Sequence, residues 1–278
     1  MASAVFLSIF VEESNMLFRR LFLCALLAGL CAGLTYSAIQ RLQVIPAIAA
    51  AEVFESAAES KEQTDHHLST MPPHVHESPA WEPADGTQRI FWTVIANVLG
   101  ATGFALLLIP ALAWWDRQRD SKAASLRSGL IWGAAGWLSF FAWPAIGMRP
   151  ELPGEAADAL QARQIWWLLA VVCAIAGLAV LAFAKGKWCL LTLPLLMLPF
   201  VAGAPQVEGS PFGNFPAEAA TQMLVLKSRF VVATAIASAV QWLVLGGVCG
   251  VLVARWLRPL MGSAPDAGVT RTVEQPLG

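Results

Sequence analysis

IFWTVIANVLGATGFALLLIPALAW, residues Ile90–Trp114, holds no acidic, basic or histidine side chain. Apolar runs of about 18 residues or more with few charges read as membrane-spanning helices. The rest of the chain agrees, being 57% AVILMFWYC and 13% charged. Working outward, similar runs occur at Leu21–Ile39, Ser128–Met148, Ile165–Ala184, Trp188–Ala204 and Phe230–Leu257. The fifth of the six, Trp188–Ala204, is the shortest and contains Pro194 and Pro199. The expected fold is therefore an all-α integral membrane protein. It is a bundle of about six transmembrane helices, or five if the short segment fails to span.

Lysine and arginine set the orientation. Arg19, Arg20, Arg117, Arg119, Lys122, Arg127, Lys185, Lys187, Arg255, Arg258 and Arg271 fall on one side, and the thirteen acidic residues of the other side outnumber its seven basic ones. Both termini are expected in the cytoplasm, and the three long loops outside. An acidic outer face concentrates cations, although it also follows simply from keeping basic residues inside. Met16 opens "MLFRRLFLCALLAG", a basic-then-apolar membrane entry, so residues 1–15 read as a candidate extension. The apolar run of the first span is longer than a cleaved signal core, and a retained helix is expected. Residues 16–258 form the transmembrane domain, and residues 259–278 are expected to be a disordered cytoplasmic tail. No basic stripe interleaved with aromatics points to nucleic acid.

Close backbone approach, rather than water, drives helices together in lipid. Gly29 and Gly33, Gly129 and Gly133, and Gly246, Gly247 and Gly250 mark the contact faces. No ionisable residue lies deep in a span, so the buried polar candidates are Asn97 and Gln241. Helix-to-helix hydrogen bonding explains both as readily as a conduction path. The five cysteines lie in or at the ends of spans, Cys24 and Cys31 on one face of the first, and no structural disulfide is expected.

All four histidines, His66, His67, His74 and His76, fall in "TDHHLSTMPPHVHE", Thr64–Glu77. This window sits in the first outer loop, residues 40–89. The preceding "AAAEVFESAAESKEQTDHH" reads as a helix with Glu52, Glu55, Glu59 and Glu62 on one face, and His66 continues that face. Pro72, Pro73, Pro79 and Pro83 then impose an extended segment. Imidazole suits Zn, Cu, Ni and Co, and Asp65 or Glu77 adds an oxygen donor. The window is expected to capture a metal ion rather than to be a merely solvated loop.

Two exits repeat a pattern. "PAIGMRPELPG" (Pro144–Gly154) and "PFVAGAPQVEG" (Pro199–Gly209) both fit P-x5-P-x3-G, and each leading proline frees a backbone carbonyl. A resemblance runs through these and other stretches: "MLFRRLFLCALLAGLCAGL", "AAEVFESAAE", "WEPADGTQRIFWTVIANVLGATGFALLL", "PAIGMRPELPGEAADALQARQIWWL" and "LPFVAGAPQ". The layout resembles the CbtA family of cobalt transporter subunits from Met16 to about Pro259. Its most specific part is Pro-Glu-Leu-Pro-Gly with the downstream Arg-Gln-x-Trp-Trp. The resemblance implies Co2+ as the transported ion, a bacterial inner membrane, a link to cobalamin, and a small one-span partner, CbtB, with histidines of its own. It also implies five spans, one fewer than the six counted here, and a histidine after the fifth-span proline, where this chain has Phe200.

The expected function is thus a subunit of a cobalt uptake transporter, with no permanently bound cofactor. Asn97, Glu151 and Gln206 are the path contacts singled out. The alternatives are a non-conducting metal-binding or scaffold subunit, or transport of Ni, Zn or Cu. There is no G-x-x-x-x-G-K phosphate loop and no H-E-x-x-H pair, so neither ATP hydrolysis by that loop nor zinc-helix hydrolysis is expected, and the chain reads as a non-enzyme.

Overall fold

The computed structural model of the chain describes residues 2–67, 83–84, 86–119, 123–207 and 209–261, with backbone alone for 2–15 and 58–67. Every regular element among them is helical. In chain order these are α1 (Ala2–Ile39), α2 (Ile45–His67), α3 (Thr87–Gln118), α4 (Leu126–Trp137), α5 (Trp143–Gly147), α6 (Leu160–Phe183), α7 (Thr192–Ala202), α8 (Ala217–Leu252) and α9 (Arg258–Met261). Five helical rods are long and apolar enough to cross a membrane: Met16–Ala57, Thr87–Gln118, Leu126–Gly147, Leu160–Phe183 and Ala217–Met261. The protein is a multi-pass membrane protein.

The count of about six spans becomes five full-length helices and one shorter one. The fifth expected span, Trp188–Ala204, is met by a 3-10 turn, Gly186–Leu191, leading into α7. Two prolines shorten the α-helical part. Yet α7 runs antiparallel to α6: Thr192 Oγ1 donates to the Gly177 carbonyl at 3.3 Å, and Pro199 O accepts from Trp166 Nε1 at 2.9 Å. The chain therefore returns along α6 to the end where α6 began.

Three rods are joined by π-turns, at Gln40–Val44, Leu138–Ala142 and Val253–Leu257. Each ends two residues before a proline: Pro46, Pro144 and Pro259. A proline cannot donate to the carbonyl four residues back, and its ring pushes that carbonyl away. A widened turn absorbs the clash. The residue before each proline bonds five back instead, Ile45 to Gln40 O, Trp143 to Leu138 O, and Arg258 to Val253 O. The prolines thus bend these helices without ending them. The outer segment, read as helical only from Ala49 to His67, is consequently helical from Gln40 onward, and the tail expected to be disordered from 259 stays helical to Met261.

Two cores result. The first joins α1, α3 and the later half of α8 around Cys24, Ala28, Ala105, Ile109, Leu245 and Cys249. Gly29 and Gly33 sit against the backbone of Thr102 and Val98, and Gly129, Gly133, Gly246 and Gly250 bring α4 onto α8. Phe104, Phe140 and Trp242 tie α3, the second π-turn and α8 together, with ring centroids 4.8 and 5.2 Å from Trp242. Cys24 is buried in this core whereas Cys31, a nominal face-mate, is exposed. The second core covers the end from which α2 projects. There Val44, Ala47 and Ala51 meet Met223 and Phe230 of α8, with Leu152 from the first proline exit and Phe212 from the turn that follows the second. The first exit is thus packed into this core through Leu152.

At the opposite end α4 starts on a capping box, Ser128 N–H donating to Ser125 Oγ at 3.2 Å and Ser125 N–H to Ser128 Oγ at 2.8 Å. Beside it Asp116, fully buried, receives Arg258 Nε at 2.9 Å and Nη2 at 3.0 Å, plus the Ala124 N–H at 2.6 Å. This bidentate pair pins the end of α3 to α9 and to the approach of α4.

Candidate functional site

Two polar regions lie at the α2 end. The first is a cleft of about 290 Å3 between α2 and the start of α3. Glu52 and Arg89 bridge its mouth, Arg89 Nη2 donating to Glu52 Oε1 at 2.5 Å. Gln40, Arg41 and Thr93 line it further in. Asn97 follows one turn beyond Thr93, its Nδ2 donating to Gln40 Oε1 at 2.6 Å and Ser37 Oγ at 3.0 Å. Three polar side chains are thus clustered where α1 widens into the first π-turn. Below them the polar route stops. A Cβ on Gly33 would lie 2.5 Å from Val98 Cα, so the backbones of α1 and α3 are in direct contact there.

The second region joins the two proline exits. Trp143 Nε1 donates to Leu196 O at 3.2 Å, and Trp166 Nε1 donates to Pro199 O at 2.9 Å. Two indoles therefore occupy carbonyls in α7's last two turns. Trp143 and Trp166 also meet Phe200 edge-on, at 5.4 and 6.1 Å. Phe200 is a packing residue here, which is the use this chain makes of the position where a histidine was expected. The repeated motif is matched in backbone too: Gly154 and Gly209 have φ of +76° and +101°, a region that only glycine enters cheaply. Glu151 pairs with Arg163, and Glu155 with Lys227. Trp166→Phe is expected to cost about 1 kcal/mol through the lost bond to Pro199. A thermal melt in detergent checks this, with an unchanged midpoint counting against the indole's role.

The sequence-selected residues are partly brought together. Asn97 enters the α2–α3 cluster. Glu151 lies in the second region, engaged by Arg163, and Gln206 is exposed beyond α7. Asp65, His66 and His67 end α2, whose helix continues unbroken from Ile45, so the register linking Glu52, Glu55, Glu59, Glu62 and His66 is kept. His74, His76 and Glu77 lie outside the described residues. Among the described side chains no three His, Cys, Asp or Glu groups converge. Sequence reading missed the Glu52–Arg89 and Glu151–Arg163 pairs. Their only signal was that each partner lies in a stretch carrying the family resemblance.

Comparison with known proteins gives one match. A family model described as "Probable cobalt transporter subunit (CbtA)" covers residues 18–254. No curated protein and no solved structure matches the chain.

Proposed function

Because the chain belongs to the CbtA family of probable cobalt transporter subunits, we propose that it serves cobalt uptake by gathering Co2+ at the far end of α2. The observation that supports this most is the unbroken run of α2 to His67. It places Asp65, His66 and His67 in the last turn of α2. Glu62 and His66 stand four residues apart on a helix, a spacing that lets two side chains share one ion. His74, His76 and Glu77 follow within reach in sequence and complete the donor set. Imidazole and carboxylate suit Co2+, and also Ni, Zn or Cu. In this reading both termini are cytoplasmic in a bacterial inner membrane, and α2 stands on the outer side.

The acidic face descends from His66 to Glu52 at the mouth of the cleft, and Asn97 is the polar contact at its foot. Closure at Gly33 and Val98 favours a second reading for the step that follows. There this chain binds the ion and a partner subunit, such as a one-span histidine-bearing protein, completes the path.

The test is cellular cobalt measured by mass spectrometry in an uptake-deficient strain at trace metal. The chain is expressed alone and with the one-span partner. Replacing all four histidines by alanine is expected to lower accumulation by about tenfold or more, since losing even an outer-shell partner of a metal ligand costs about that much. Accumulation unaffected by the replacement would remove the capture role. A rise seen only with the partner would show that this chain does not complete the path alone, as the second reading expects.

A further inference from the structure

Phe140 of the second π-turn and Trp167 of α6, their ring centroids 6.3 Å apart, line with Phe141 a groove of about 520 Å3. Its polar end carries Arg149, Glu151 and Arg163. Arg163 pairs with Glu151, yet its Nε–H is buried and meets no acceptor. Arg149 is exposed. The groove opens sideways, since Leu160 and Leu168 line it while remaining 61% and 57% exposed. Those two residues are about 12 Å apart along α6 at 1.5 Å per residue.

Charge decides what fits. Two guanidiniums outnumber one carboxylate, so a divalent cation is repelled. A purely apolar helix would leave the excess positive charge uncompensated at the membrane surface. A phosphodiester supplies one negative charge and acceptors for the accessible nitrogens of the two guanidinium groups. Below it the aromatic wall takes a hydrocarbon chain. We propose that this groove holds a phospholipid of net charge −1, its phosphate at Arg163 and Arg149 and one acyl chain along Phe140, Phe141 and Trp167. The site does not use the histidine window, and it assigns Glu151 to holding Arg163 rather than to an ion path. It also has a structural purpose, because α6 meets the main bundle chiefly through the second π-turn and α5, and a seated lipid fills the angle between them.

The experiment is native mass spectrometry of the purified chain offered equal phosphatidylglycerol and phosphatidylethanolamine. One phosphatidylglycerol is expected to be retained with about tenfold preference, because the ammonium of phosphatidylethanolamine cancels the net charge that the two guanidiniums attract, a difference of about 1.4 kcal/mol. R149Q/R163Q is expected to remove the preference. Because that variant unpairs Glu151, a second measurement leaves the groove intact. Phosphatidylglycerol with brominated acyl chains is expected to quench tryptophan fluorescence in the wild type, and W167F is expected to abolish a distinct part of that quenching. Equal retention of both lipids, quenching indifferent to W167F, or displacement of the lipid by inorganic phosphate alone would each overturn the proposal.

Discussion

Gly246→Leu is expected to abolish recovery of folded protein. A Cβ at Gly246 would lie 2.6 Å from both Gly133 Cα and Gly133 N, and would overlap the Gly129 carbonyl oxygen. Overpacked cores lose about 1–3 kcal/mol when side chains can shift. Here the obstacle is backbone on a facing helix, so no rotamer relieves it. The α4–α8 contact must open along its length, taking with it the packing that Gly129, Gly133 and Gly250 allow. Fluorescence-detected gel filtration of the solubilised protein reads the outcome, aggregated material being expected. Gly100→Leu is the control, since a Cβ there meets nothing within 4 Å. A monodisperse Gly246→Leu peak would show that the helices pack otherwise.

Asp116→Asn is expected to destabilise the fold by about 3 kcal/mol, the low end of the range for breaking a buried ion pair. The low end applies because Arg258 is 28% exposed while Asp116 is fully buried. The amide keeps the volume but leaves the guanidinium without its countercharge. Asp116→Leu with Arg258→Met is expected to recover part of the loss, because neither charge then remains. Recovery stays incomplete, since the Ala124 N–H loses its acceptor. Thermal melts in one detergent compare the three proteins. Equal midpoints for Asp116→Asn and wild type would show that the pair contributes nothing.

The sequence showed the helical class and the small-residue faces, because apolar length and glycine spacing are local properties. Gly29, Gly33, Gly129, Gly133, Gly246 and Gly250 all proved to be contact points. Their partners were not legible: nothing near Gly129 says that it meets Gly246. A π-turn before Pro46 and another before Pro259 let the helix continue past the span ends read at Ile39 and Leu257. Periodicity cannot foresee that choice, which is made by the local carbonyls. The twin proline exits were legible as a motif, and their matching positive-φ glycines agree with it. Ion pairs were the least legible. Asp116 and Arg258 are 142 residues apart, and both looked like ordinary flanking charges. Of the capture window, the helix up to His67 was foreseen from the spacing of its glutamates.

The length of α2 has an electrostatic consequence. From Ile39 to His67 the helix axis advances about 40 Å at 1.5 Å per residue, and α2 keeps beside α8 through Phe54. A surface potential decays over about 8 Å at physiological ionic strength. The backbone at His67 therefore stands roughly five decay lengths from the point where α1 leaves its apolar run. Lipid charge is screened out over that distance, so the field an arriving ion meets is set by Glu59, Glu62 and Asp65 of the helix itself.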